Sequence, residues 1–265
     1  MKVVFPKQVI KPLYYKIHVQ YIINLFQAMG SQVSFTDRNT SVDGSKFLVL
    51  VNGREVLFDF CDFACETTHW TGPYFKFHYD ETRSYSANIR PFPPVSFYDW
   101  NAYNKLSSEI EYTGCGVVAY RQRPYGGAAE RRALLGSILH DHCKDMLDTN
   151  ILPQEEYWRS IQGDFVQLFA PGAREGILDR AQLQCMAFGE CTISPKITDT
   201  MASERIIPGM HYIMCRDDFS DVPTILNDLE RNISMCQIVG NNAKLLFERT
   251  CAPYSVKQYL RKELV

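Results

Sequence analysis

The chain predicts an α/β protein of two lobes, and three observations carry that expectation. Its 265 residues exceed an ordinary single domain, so one large domain or two lobes of about 100–150 residues each can be built. In the second half, short apolar runs of β character alternate with helical stretches, the pattern of a parallel sheet with right-handed crossovers. In the first half, "KFLVLVNGREVLFDF" sets two β-rich runs around Asn52-Gly53. That dipeptide is the strongest short hairpin signal, so an antiparallel pair is expected there.

Taken in order, "KVVF" reads as a strand, and Leu13 to Met29 reads as an amphipathic helix. Ile17, Tyr21, Leu25 and Met29 share one face of that helix, and Gly30 stops it. "QVSF" gives a second strand, the hairpin follows, and "PYFKFHY" alternates as a further strand. "NIRPFPPVSFYDW" carries three closely spaced prolines, which break regular structure and mark the interlobe region.

Beyond it, "GCGVVAYRQRP" is a buried strand ending in basic residues, and "GGAAERRALLGSILHDHC" is a helix. "DFVQLFAP", "DRAQLQCMAFG" and "ECTISP" then read as strand, helix and strand. "HYIMC" adds a strand, and the rest of the chain supplies two or three helices. This half is expected to be Rossmann-like.

Composition narrows the function classes. Apolar residues make up 46% and charged residues 22%, as in an ordinary globular protein. No segment approaches the roughly 18 uninterrupted apolar residues of a membrane span. A formal charge of −2 argues against a protein that coats nucleic acid, so any anion recognition must be local. "MKVVFPKQVIKP" has no apolar core followed by a cleavage site, so no secretory signal is expected. The nine cysteines lack a C-x-x-C pair or zinc spacing, and no metal site is expected.

In open parallel sheets, ligands sit beyond the carboxyl ends of the strands, where loops enter helices. Ala170 to Gly172 lies at such an end, and Arg180 starts the next helix. Backbone N–H groups and the helix dipole favour an anion there, and a guanidinium grips phosphate oxygens in two places. Arg121 and Arg123 end an earlier strand, followed by Gly126-Gly127 and Arg131-Arg132. Two arginine-bearing strand ends suit a diphosphate; surface arginines at helix starts are the plainer alternative.

In the amino half, Asp59 and Asp62 end a strand and open a loop, where one of them could take a proton from a substrate hydroxyl. Asp59 is preferred, because flanking Phe58 and Phe60 would desolvate it and strengthen it as a base. Either aspartate equally reads as the cap of the following turn. His69 and His78 are rivals for the base, since imidazole titrates near neutral pH, although "THW" and "FHY" also read as packed aromatic clusters. Lys76 either snorkels or reaches a site. Trp70, Tyr74, Phe77 and Trp100 could stack on sugar faces or belong to the core.

The order of the carboxyl-half pieces carries a resemblance. "EEYWRSIQGDFVQLFAPGAREGILDRAQLQCMAFGECTISPKI" followed by "ERIIPGMHYIMCRDDFSDVPTILNDLERN" resembles the nucleotide-sugar lobe of GT-B glycosyltransferases. The likeness is to the exostosin and protein O-glucosyltransferase kind and spans about residues 110–250. It implies a GT-B fold, with two Rossmann-like lobes facing a cleft. Residues 1–105 would bind the acceptor, residues 106–250 the nucleotide-sugar, and 251–265 would form a helix returning across the cleft.

Position by position, Arg180 matches the arginine that binds the donor phosphates, with Gly172 in the preceding "P-G". Gln184 matches a glutamate that holds the donor ribose; glutamine keeps the hydrogen bonding and lacks the charge. The resemblance implies UDP as carrier, xylose or glucose as sugar, a glycan or glycoprotein as acceptor, and an inverting reaction with an aspartate base. The sequence has no Asp-x-Asp to carry a divalent ion on the donor, so arginine would replace the metal.

Without a signal, the chain is similar to cytoplasmic enzymes with which bacteria or large DNA viruses build their own glycans, viral xylosyltransferases included. Cytoplasm, the host's for a virus, is then the expected location. Walker A, G-x-S-x-G and G-x-G-x-x-G motifs are missing from the sequence. A non-catalytic nucleotide- or sugar-binding protein of the same fold, favoured by Gln184, and a plain α/β hydrolase complete the alternatives.

Overall fold

The computed structural model describes residues 1–6, 13–37, 41–43, 45–66, 69–172 and 174–264. They form two compact units, one of Met1–Tyr103, Asp199–Arg205 and Arg249–Val265, the other of Asn104–Thr198 and Ile206–Glu248. No helix among the described residues is long and apolar enough to cross a membrane.

The first unit begins with β1 (Lys2–Pro6), α1 (Leu13–Ala28) and β2 (Gln32–Thr36). β1 and β2 are parallel, which requires the α1 crossover. Of the helical face read from the sequence, Tyr21, Leu25 and Met29 are buried, while Ile17 is 39% exposed. Val19, Ile22 and Phe26 take its place, so the buried stripe is rotated from the one expected.

The chain continues as β3 (Ser41–Asp43), β4 (Lys46–Val51), β5 (Arg54–Asp59), β6 (Tyr74–Lys76), β7 (Ile89–Pro91) and α2 (Trp100–Ser107). β4 and β5 pair antiparallel around Asn52-Gly53, whose φ angles of 50° and 83° give the doubly left-handed turn that Asn-Gly favours. β5, β6 and β7 then run parallel, so the sheet order β2-β1-β4-β5-β6-β7 contains an antiparallel interruption at β4. This sheet is mixed where a Rossmann-like lobe was expected. β7 also lies within the proline-rich segment read as irregular, because Pro91 closes the strand at its last residue.

One face of β5 carries Phe58 and Phe60 into a layer of phenyl rings with Phe47, Phe75, Phe77 and Phe92. Rings at centroid distances of 4.1–5.9 Å interlock the sheet. Each such pair adds about 0.5–1.5 kcal/mol beyond burial.

The second unit is built on β8 (Val117–Ala119), α3 (Ala129–Cys143), β9 (Leu147–Asp148), α4 (Gln154–Ser160), β10 (Asp164–Leu168), α5 (Arg180–Ala187) and β11 (Thr192–Ser194). A short hairpin, β12 (Thr200–Met201) and β13 (Glu204–Arg205), returns to the first unit. β14 (Ile213–Met214), α6 (Val222–Arg231) and α7 (Ile233–Thr250) complete the second. α8 (Pro253–Leu264) packs in the first unit, where Lys257 Nζ donates to the Met29 carbonyl and Tyr259 Oη to that of Pro91.

The second sheet is parallel throughout, in the order β9-β8-β10-β11-β14. Its apolar face carries Val118, Phe165, Val166, Leu168 and Ile193. Phe165 and Val166 lie on the same face because the β8–β10 register shifts between Asp164 and Val166. That bulge also brings Asp164 and Gln167, three residues apart, onto one face, where plain alternation would separate them.

Candidate functional site

Counted along the chain, the strands of the parallel sheet stand second, first, third, fourth, fifth. The order reverses between β8 and β10, and the crevice beyond their carboxyl ends is where such sheets take ligands. From β8 that end continues through Gln122, Arg123 and Gly126-Gly127 into α3; from β10 it continues through Ala170 and Gly172 into α5.

Gln122 ties the two ends together. Its amide oxygen accepts from the Ala170 N–H at 2.7 Å, and its amide nitrogen donates to Asp179 at 3.0 Å. The residues that follow the partners of this last bond, Arg123 and Arg180, therefore flank one hydrogen bond, and both are exposed. The loop between Gly172 and Asp179 is anchored by Gly176, whose carbonyl accepts from the Thr198 N–H at 2.8 Å. With φ of +74° and the Thr198 side chain against it, that position has no room for a Cβ. Gly172 has space around it and carries no such requirement.

Two neighbouring arginines, Arg121 and Arg132, have carboxylate partners within the protein. Arg121 was expected to face phosphate, but its guanidinium is buried, bonded to Asp164 at 2.6 and 2.8 Å and to Asp148 at 2.6 Å. Burial alone would lower its pKa; the bonds and charge of Asp164 and the bond from Asp148 hold it above the usual arginine range. Asp148, despite partial burial, is held below the usual carboxylate range by the Asn150 N–H and by Arg121. Arg132 bonds the Arg123 carbonyl at 3.0 Å and Asp179 at 3.4 Å, under the ring of Tyr125.

The start of α5 also differs from the expected anion cradle. Asp179 is the N-cap, and its carboxylate accepts from the Ala181 N–H at 2.8 Å. A negative charge of the protein's own occupies the helix end. An aspartate directly before a helical run is a cap signal readable in sequence. Gln184, matched to the ribose position, is buried and accepts from Trp158 at 3.3 Å and Gln154 at 3.2 Å.

In the first unit, strand alternation decides the fate of Asp59. Phe58 and Phe60 point into the ring layer, so Asp59 points the other way, opposite Lys76 in register. Its carboxylate accepts from Tyr74 Oη at 2.6 Å, Lys76 Nζ at 3.1 Å and the Cys61 N–H at 2.8 Å, and both charged side chains are 0% exposed. Asp59 is thus the centre of a sealed pair, and Lys76 neither snorkels nor reaches solvent. Tyr74, Phe77 and Trp100 are core residues, not sugar platforms; Trp70 is partly buried.

Asp62 and His69 are exposed in the loop after β5. His78, two residues beyond β6, meets Asp199 through Nδ1 at 2.9 Å and has Asp62 at 3.7 Å from Nε2. The structure therefore groups Asp62 with His78, and adds Asp199, which no feature of the sequence marked. Among the described residues, no group of three or more His, Cys, Asp or Glu side chains is arranged to hold a metal ion.

No protein-family model matches the chain, and no curated protein sequence matches it. Among solved structures, the chain is similar to HepE of Anabaena, crystallised in complex with UDP and glucose, with a TM-score of 0.49 and 10% identity. The alignment covers 73% of this chain and 62% of that one, so the chain spans less than two thirds of that protein's length.

Proposed function

We propose that the protein transfers a sugar, glucose or xylose, from a UDP carrier to a hydroxyl of a glycan, with inversion and without a divalent ion on the diphosphate. The second unit takes the donor and the first unit takes the acceptor. One observation supports this reading most: the reversal of strand order between β8 and β10, with Arg123 and Arg180 next in sequence to the partners of the Gln122–Asp179 hydrogen bond, which joins the segment after β8 to the start of α5. The positive charge there suits a leaving diphosphate, and the sequence lacks the Asp-x-Asp that would carry a metal in its place.

The test is calorimetric titration with UDP, UDP-glucose and UDP-xylose. Arg180→Ala is expected to weaken UDP binding by about 1.5–3 kcal/mol, the scale of a charge-assisted hydrogen bond. EDTA is expected to leave that binding unaltered. Absence of UDP binding by the unaltered protein, or its strict loss with EDTA, defeats the reading.

A non-catalytic binding protein is the second reading, and a specific observation favours it: Asp59, the first-choice base, is sealed against Lys76. Slow release of UDP from a UDP-sugar supports transfer; a shift in melting temperature without turnover supports the binding protein.

A further inference from the structure

We infer that Tyr125 is the platform on which the nucleobase of the donor stacks, an assignment that rests on reading the crevice beyond β8 and β10 as a nucleotide site. The Tyr125 ring is 68% exposed. Exposure alone says little, because single apolar side chains stand in solvent on any protein. What sets this ring apart is that it is held. The guanidinium of Arg132 lies over it, 4.9 Å from the ring centroid. Arg132 is itself fixed: it is 5% exposed, and it donates to the Arg123 carbonyl at 3.0 Å and to Asp179 at 3.4 Å. One face of the ring therefore rests on a cation that the fold keeps in place, and the opposite face is left to solvent.

The backbone keeps that face open. Tyr125 is extended, at φ −151° and ψ 154°, and Gly126 at φ +57° turns the chain into the short helix Gly126–Ala128 that leads into α3. A Cβ at Gly126 would meet nothing within 4 Å, so the space at that position is clear.

Position and charge then name the ligand class. Arg123 lies two residues before Tyr125, and Asp179, bonded to Arg132, is followed by Arg180; both arginines are exposed. All of these residues belong to the second unit. A nucleoside diphosphate carries a flat π-system at one end and negative charge at the other. An aromatic plane set among guanidinium groups fits that pairing, whereas inorganic phosphate and sugar phosphates offer nothing that requires the plane. Stacking needs only a π-face, so Tyr125 fixes the plane of the base and leaves the choice of base to other contacts.

The experiment is calorimetric titration of the wild-type chain and its variants with UDP and UDP-glucose, with pyrophosphate as a competitor that lacks a base. Tyr125→Ala is expected to weaken UDP binding by about 5- to 150-fold, the range measured for removing one base–aromatic stack. Tyr125→Leu, which still covers Arg132 but has no π-face, is expected to lose binding in the same range. Tyr125→Phe is expected to stay within about twofold of wild type, because the stack does not use the hydroxyl. Competition by pyrophosphate is expected to be equal in wild type and Tyr125→Ala.

UDP affinity that is unchanged in Tyr125→Ala overturns the assignment and leaves the nucleotide site standing. So does a loss confined to UDP-glucose, which would put the ring against the sugar. An equal loss for UDP and pyrophosphate also overturns it, since Tyr125 would then act on the phosphates through Arg132. If the wild-type chain binds neither UDP nor pyrophosphate, the nucleotide site itself fails and the assignment falls with it.

Discussion

In the first unit, Asp59 meets Lys76 across neighbouring parallel strands, and the opposite face of the same sheet is a layer of phenyl rings. In the second, Asp164, Gln167, Thr192 and Ser194 line one face of an all-parallel sheet, all of them buried. Arg121, Tyr157, Gln182 and Cys185 cover that polar face: Gln182 reaches Thr192 and Ser194 at 3.1 and 2.9 Å, and Gln167 donates to Tyr157 at 3.0 Å. Parallel sheets ordinarily bury hydrocarbon on both faces. Hydrogen bonding lets this one bury polar side chains instead, and the strand end next to the candidate donor crevice is fixed by charge, not by packing.

Charge removal in the second sheet is expected to have the largest effect. Arg121→Ala leaves Asp164, itself buried, without its partner, and a loss of about 3–5 kcal/mol is expected in urea unfolding. A loss below about 1 kcal/mol would mean that solvent reaches the aspartates and that the polar face is not sealed.

The first sheet buries the Asp59–Lys76 pair, which is expected to be dispensable as a unit. Asp59→Asn strands the Lys76 ammonium at 0% exposure and costs about 2–4 kcal/mol. The double change Asp59→Asn with Lys76→Met is expected to recover most of that loss. Recovery in the double variant, read from urea midpoints, distinguishes an isolated pair from a connected network; failure to recover would make the two units alike.

Glu190 gives a pH signature belonging to the second unit alone. Its carboxyl oxygens are buried without a hydrogen-bond partner among the described residues. Burial and the charge of Asp164 push its pKa well above the carboxylate value of 4.5. The folded protein therefore keeps a proton that the unfolded chain releases. Its contribution is fully present below about pH 4.5 and is lost as pH rises toward the folded pKa, by at most ~1.4 kcal/mol per pH unit. Glu190→Gln is expected to remove that slope, measured as unfolding free energy at several pH values.

The smallest expected effect lies at the crevice beyond the carboxyl ends of β8 and β10. Asp179→Ala removes the cap of α5 and the acceptor for Gln122 and Arg132. It is expected to cost about 1–2 kcal/mol in stability. An unaltered melting temperature would show that the two strand ends are held without it.

Much of the order of elements was legible in the sequence, because local pattern encodes it. Asn52-Gly53 declared the hairpin, and the alternation after Gly114 declared the parallel sheet. α2 directly follows the proline-rich segment that reads as irregular, α4 has only 7 residues, and β9 and the β12–β13 hairpin consist of two-residue strands. Arg123 and Arg180 could be placed at strand and helix ends from sequence, since each position depends only on its own neighbours.

The sequence by itself therefore determined most of the longer strands and helices, and which residues stand at their carboxyl ends. The tertiary structure decided partnership. Arg121 meets an aspartate 43 residues away, and His78 meets one 121 residues away. Phe58 and Phe60 suggested a desolvated base at Asp59, whereas the β5–β6 register set Lys76 opposite it. Register, a one-residue bulge and the return of residues 199–205 to the first unit are long-range properties. Each is selected by total burial and hydrogen bonding across the folded unit, which no local stretch of residues encodes.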